Sequence, residues 1–217
     1  MSTRSIYAHE AFVRGPNGES AFSVLLQVTD ANRYAFDQAC RVGAIRDTSE
    51  VEMNEMLSIN FFSNAVYRPE ACIRSAFAAE KLYRFPGEKI IFELTEYEQI
   101  HNRANLVNIF REYQRFRFSN AIDDFGARYA GLDLLAEYQP NIIKINMTVV
   151  RDIDTSKPKQ AIVLICPAMD VRVLAEGIET IAERDFLQNT GIHLMQGYLF
   201  CKPTFQALGI VDPASWA

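Results

Sequence analysis

The chain has 217 residues, 49% of them apolar, 23% charged, and a formal net charge of −5. That composition excludes a disordered chain, and no apolar run reaches the roughly 20 residues a membrane helix requires. The acidic balance argues against a long polymeric nucleic-acid track, which needs a basic stripe, but leaves room for a small phosphate ligand bound through cations.

In chain order, a first strand is expected near Ile6 to Arg14. A helix is expected over Leu25 to Ile45, where apolar residues recur at three and four. Met56 to Ile59 reads as a strand and Glu70 to Leu82 as a helix; Lys89 to Phe92 follows as a strand and Asn102 to Phe116 as a helix. Four more strand-like runs come at Asn120 to Ile122, Asn141 to Ile143, Val171 to Ala175 and Ile192 to Met195. Repeated strand–helix alternation predicts parallel strands with helices packed outside, and at least seven such runs favour a closed (β/α) barrel over an open doubly wound sheet, which stays the alternative. With no linker, repeat or low-complexity run, residues 1–217 read as a single domain. Met1 to Ser5 has no apolar leader segment, so a cytoplasmic location is expected. Cys40, Cys72, Cys166 and Cys201 are widely spaced, form no CxxC, and read as small buried apolar residues.

The strand ends carry one kind of chemistry. Ile59 is followed by Asn60, Phe92 by Glu93, Ile122 by Asp123 and Asp124, Ile143 by Lys144, Ala175 by Glu176, and Met195 by Gln196; the first strand contributes Glu10. A single polar residue at a strand end is ordinary. In a parallel barrel, however, the C-terminal strand ends meet on one face, so this series predicts a mouth lined with carboxylates. Such a cluster needs counter-cations, and hard divalent ions prefer oxygen ligands. The three histidines form no ligand pair, which makes zinc the weaker choice. Tandem Asp123 and Asp124 suit two metals a few Å apart, a device for in-line attack on phosphodiesters. Lys144 then either holds the attacking water or simply forms a salt bridge to a neighbouring acid. A metal-independent glycosidase using two of the carboxylates is a further alternative.

These segments resemble the EAL family of cyclic di-GMP phosphodiesterases: His9 to Arg14 at the signature, Leu57 to Asn60, Phe92 to Glu96, Ile122 to Gly126, Ile143 to Ile145, Ala175 to Thr180 and Gln196 to Tyr198. The resemblance implies a TIM-like α/β fold, a (β/α)8 barrel with one antiparallel strand, and hydrolysis of cyclic di-GMP to linear pGpG with two divalent cations, Mg²⁺ or Mn²⁺. By the same resemblance Glu10, Asn60, Glu93 and Asp123 hold one metal, and Asp123, Asp124 and Glu176 the other. Lys144 orients the attacking water with help from Gln196. Glu96 and Glu179 fix the loop after Asp124, Arg14 touches a substrate phosphate, and Phe12 lies beside the substrate where the family has leucine.

Arg128 stands where the family has a second loop glycine, and Asn146 where it has aspartate. The stretch Gln160 to Glu176 is about one helical turn short and contains Pro167, which breaks a helix at a cost of about 3 kcal/mol. The family uses that helix in its dimer, so an altered homodimer is expected. These departures leave open a non-catalytic module that acts as a cyclic di-GMP receptor or binds a regulatory protein partner. No membrane association is expected.

Overall fold

The computed structural model describes residues 4–62, 69–95, 103–126, 135, 137–165 and 170–216, the side chains of 69–72, 95, 103 and 165 excepted. Within them the chain forms two compact units: residues 6–120 with 203–208, and residues 121–202 with 209–217 and the N-terminal tip.

The first unit alternates strand and helix. β1 (Ala8–Ala11), β2 (Met56–Phe61) and β3 (Ile90–Thr95) lie side by side in chain order. All are parallel, with Glu10 opposite Ser58 and Asn60 opposite Glu93. Their connections carry α1 (Ala21–Leu25), α2 (Arg33–Glu50) and α3 (Pro69–Tyr83), and α4 (Arg103–Arg115) follows β3. The core of this unit is aromatic, with Phe61, Phe92, Phe110, Tyr113 and Phe118 all buried.

The helix expected over Leu25 to Ile45 is broken. α1 ends at Leu25 and α2 starts at Arg33. Between them Asn32 accepts from the Thr29 N–H (2.6 Å) and donates its amide to the Gln27 carbonyl (2.9 Å). A short amide side chain thus offers the backbone an alternative to helical bonds, a competition that apolar periodicity does not register.

The second unit contains β4 (Ser119–Phe125, from Ala121 onward), β5 (Ile142–Ile145), β6 (Arg172–Ala175) and β7 (Leu194–Met195). They are again parallel and in chain order. The helices here are α5 (Met147–Val150), α6 (Lys157–Ile165) and α7 (Ile181–Asn189). Phe125, Ile143, Ile145, Val150, Ile153, Val163, Ile178, Leu187 and Ile192 form the core of this unit. α7 opens on a reciprocal cap: Thr180 accepts from the Glu183 N–H (3.2 Å), while the Glu183 carboxylate accepts from the Thr180 and Glu179 N–H groups (3.0 Å each). That cap fixes the loop following Glu176.

All described strand pairings are parallel, as the alternation predicted. The reversed strand and the eighth strand that the resemblance implied are not among the seven described strands. Among the described residues no helix is long and apolar enough to cross a membrane. Pro167 lies outside them.

Candidate metal centre

In the second unit the tandem acids present a geometric problem. Successive residues of a regular strand point to opposite faces, so Asp123 and Asp124 cannot both face one cation. The structure resolves this with a bulge. From Ile122 to Phe125 β4 advances three residues while its partner advances two, Ile143 to Ile145. Asp124 takes up the extra step in the left-handed region, with φ 58. Aspartate tolerates that conformation better than most residues. Its N–H donates to Asp123 Oδ1 (2.9 Å), so the two side chains are locally ordered against each other.

The result is that carboxylate oxygens of Asp123, Asp124 and Glu176 all lie within 4.8 Å of one another. At an effective dielectric of about 20, each such like-charge pair costs at least about 3.5 kcal/mol. The Lys144 ammonium lies among them, 2.7 Å from Glu176 Oε1 and 3.2 Å from Asp123 Oδ1, and its side chain is buried. Three carboxylates against one ammonium leave two formal negative charges, which a divalent cation matches. Among the described residues this is the one grouping of three acids, histidines or cysteines near enough to share an ion. Its donors are all oxygens, which suits Mg²⁺, Mn²⁺ or Ca²⁺ better than zinc.

The sequence left Lys144 between two roles, and it does form ion pairs with both neighbouring acids. Asn146, which stands where the family has aspartate, holds Asp124 directly. Its Oδ1 accepts from the Thr148 N–H (2.7 Å) and hydroxyl (2.6 Å), so its Nδ2 must face outward, and it donates to Asp124 Oδ1 at 2.5 Å. Gln196 is pinned through its main chain: its N–H donates to the Ala175 carbonyl (2.9 Å), and its carbonyl accepts from the Ile178 N–H (3.0 Å). Glu179 pairs with Arg151 (2.9 Å), which also approaches Glu183 (3.7 Å). The loop after Gly126 that Glu179 was expected to fix lies outside the described residues. So do Arg128, within that loop, and Glu96.

In the first unit Glu10, Asn60 and Glu93 share one face of the sheet by register. Asn60 Nδ2 donates to Glu10 Oε1 at 2.7 Å, which turns the amide of Asn60 to a fixed orientation. Glu93 is buried and accepts from the Ser58 hydroxyl. Ser58 falls within one of the segments that resemble the family, yet sequence reasoning assigns it no role. Period-two alternation, which puts residues 58 and 60 on one face, is the signal that could have found it. Past the end of β1, Phe12 is exposed and the Arg14 guanidinium sits 5.8 Å from its ring centroid, also donating to the Val13 carbonyl (2.8 Å).

The sequence profile of the EAL domain matches residues 1–203. A standalone EAL protein of Vibrio cholerae O395, solved with cyclic di-GMP bound, is 44% identical. The match covers 99% of this chain and 92% of that one, with a TM-score of 0.95, and establishes the TIM-like α/β fold. Klebsiella pneumoniae BlrP1, solved at pH 9.0 with manganese and cyclic di-GMP, is 31% identical over 96% of this chain and 54% of its own, with a TM-score of 0.88. The blue light- and temperature-regulated antirepressor BluF of Escherichia coli K12 is 30% identical over 92% of this chain. Other curated relatives, 28% and 36% identical, are named cyclic di-GMP phosphodiesterases. The chain spans about half (51%) of BluF and under a fifth (18% and 17%) of those two.

Proposed function

The chain belongs to the EAL domain family, and from that premise we propose that it is a metal-dependent phosphodiesterase cleaving one ester of cyclic di-GMP to give linear pGpG. The whole chain is read as one EAL domain. The observation that carries the reading is the convergence of Asp123, Asp124 and Glu176 within 4.8 Å, with Lys144 buried between two of them.

Asp123, Asp124 and Glu176 hold one divalent cation. Glu10, Asn60 and Glu93 supply oxygen donors for a second. Cations bound there supply positive charge against the phosphate and activate water for in-line attack. Lys144 donates hydrogen bonds to the attacking water and offsets charge as the oxygen of water bonds to phosphorus and the ester oxygen departs as an alcohol. Gln196 assists from beside Lys144. Arg14 meets a substrate phosphate through its fork of N–H donors, and the exposed Phe12 ring offers an apolar face next to it.

The test is chromatography of cyclic di-GMP incubated with the protein and Mn²⁺ or Mg²⁺, with Glu10→Ala and Asp124→Ala alongside. Release of pGpG by the wild type, loss in both variants and loss with chelator support the reading. Tight nucleotide binding without any pGpG would reject it.

One observation favours a second reading, a regulatory module that binds nucleotide or a partner protein without turnover. A relative matching 92% of the chain carries the name antirepressor. Calorimetric binding of cyclic di-GMP in the absence of cleavage would select this alternative.

A further inference from the structure

Arg41 is the largest fully buried side chain in the described structure, and none of the roles above uses it. It lies in α2, on the helix side of the sheet. Its guanidinium pairs with Asp37 at 2.7 Å, one helical turn back, and donates to the Tyr113 hydroxyl. Three rings enclose the cation, with centroids 5.2 Å (Phe61), 5.1 Å (Phe92) and 5.7 Å (Tyr113) from its centre. The rings also pack on each other, Phe92 against Tyr113 at 4.6 Å and Phe61 against Tyr113 at 5.7 Å.

A buried ion pair is a poor source of stability. Apolar side chains of like volume often serve as well or better. Its location is what distinguishes this one. Phe61 directly follows Asn60, and Phe92 directly precedes Glu93. By alternation the two rings point to the helix side, while Asn60 and Glu93, paired in register, point to the other. Asp37 Oδ1 accepts the Phe62 N–H at 2.9 Å, the first backbone donor past the end of β2. One carboxylate therefore pins the chain as it leaves β2, and the cation that fixes this carboxylate also grips the outward ring beside each of two inward donors.

We propose that the Asp37–Arg41 pair is a positioning device that sets the spacing of Asn60 and Glu93 from behind the sheet, so that these donors hold a divalent cation. This rests on the phosphodiesterase reading for its purpose, but its readout is metal binding without nucleotide. Ligand sets need placement to about 0.5 Å, and a strand end left to fray does not provide it.

The experiment titrates Mn²⁺ into the intact 217-residue chain by electron paramagnetic resonance, with turnover of cyclic di-GMP measured in parallel. The Asp37→Leu/Arg41→Met double variant removes both charges together and keeps the volume, so that neither charge is stranded. Tyr113→Phe removes only the hydroxyl contact and is the mild probe. Expected are two classes of Mn²⁺ site in the wild type and, in the double variant, a loss of about tenfold in affinity for one class only. The class held by Asp123, Asp124 and Glu176 stays unchanged. Tyr113→Phe loses about threefold in the same class, and kcat falls further than KM rises.

Unchanged Mn²⁺ affinity in Tyr113→Phe together with wild-type affinity in the double variant, or with its failure to fold, would overturn the proposal. So would equal weakening of both classes, or a wild type that binds a single Mn²⁺. A wild type that binds two Mn²⁺ and cleaves nothing refutes the phosphodiesterase reading while leaving the positioning result standing.

Discussion

Gly177→Ala is the sharpest test of how the centre is held. Gly177 directly follows Glu176 and has φ +69, and a Cβ built there lands well inside van der Waals distance of the Met147 Cβ. Two costs follow. An L-residue in the left-handed region costs about 1–2 kcal/mol, and forced overpacking about 1–3 kcal/mol. A combined loss of about 3 kcal/mol lowers the Tm of a chain this size by about 6–12 °C. Because the intruding methyl sits between Glu176 and the residue after Asn146, the carboxylate shifts, and a misplacement of about 1 Å costs about 100-fold in turnover. The clash is with a Cβ, so only Met147→Gly relieves it. In a double-mutant cycle Gly177→Ala/Met147→Gly should recover the overpacking share, about 1–3 kcal/mol, and leave the backbone share. Thermal melts and turnover on all four proteins check this. A Gly177→Ala protein melting within about 2 °C of wild type, or a cycle with no coupling, refutes the reasoning.

Lys144→Met leaves three converging carboxylates without their ammonium, so turnover should fall by about 100-fold or more. Mn²⁺ should then raise the melting temperature more than it does for the wild type; an equal shift would contradict the charge argument. Gly43 lies inside α2, where an added methyl group meets only open space. Gly43→Ala should therefore stabilise by about 0.5–1 kcal/mol in denaturant melts, with turnover unchanged. For Glu183, burial pushes the carboxyl up, but hydrogen bonds from the Glu179, Thr180 and Asp152 N–H groups and from Thr180 hold it below its ordinary 4.5. A lowered folded pKa contributes stability that is complete above pH 4.5 and is lost as pH falls through the lowered value. Glu183→Gln should flatten that acid limb and cost about 1 kcal/mol at neutral pH; acid melts parallel to wild type would argue against it. The Cys40 thiol is pushed up to about 11 by burial and then by the Asp37 charge. Thiol-selective alkylation at pH 8 should therefore leave Cys40 unmodified in the folded protein, as mass spectrometry can show.

The order of strands and the polar residue at each strand end were legible from the chain alone. Parallel strands bury both faces, so they appear as short apolar runs that stop where chemistry begins. Asn60, Glu93, Asp123, Lys144 and Glu176 were all singled out by that stop signal. The break before α2 was not, because it depends on side-chain bonds made by Asn32 rather than on apolar period. Ser58 was not, because alternation places it on the face of Asn60 but does not say that a carboxylate of the neighbouring strand lies against it. Asp37 and Arg41 stand four residues apart, a spacing equally common on solvated helix faces, and only the aromatic residues packed around the guanidinium mark this pair as a buried one.

What the sequence determined by itself was which polar residues stand in or just past the C-terminal half of each strand, since hydrophobic period is a local property. What the tertiary structure decided was direction. An extra residue in β4, absorbed by Asp124 in the left-handed region, turns two adjacent carboxylates toward one point, and Lys144 meets Glu176 across 32 residues of chain. A pleat alone would have sent those acids to opposite faces. The step that overrides it is set by pairing with a neighbouring strand, which no short window of sequence contains.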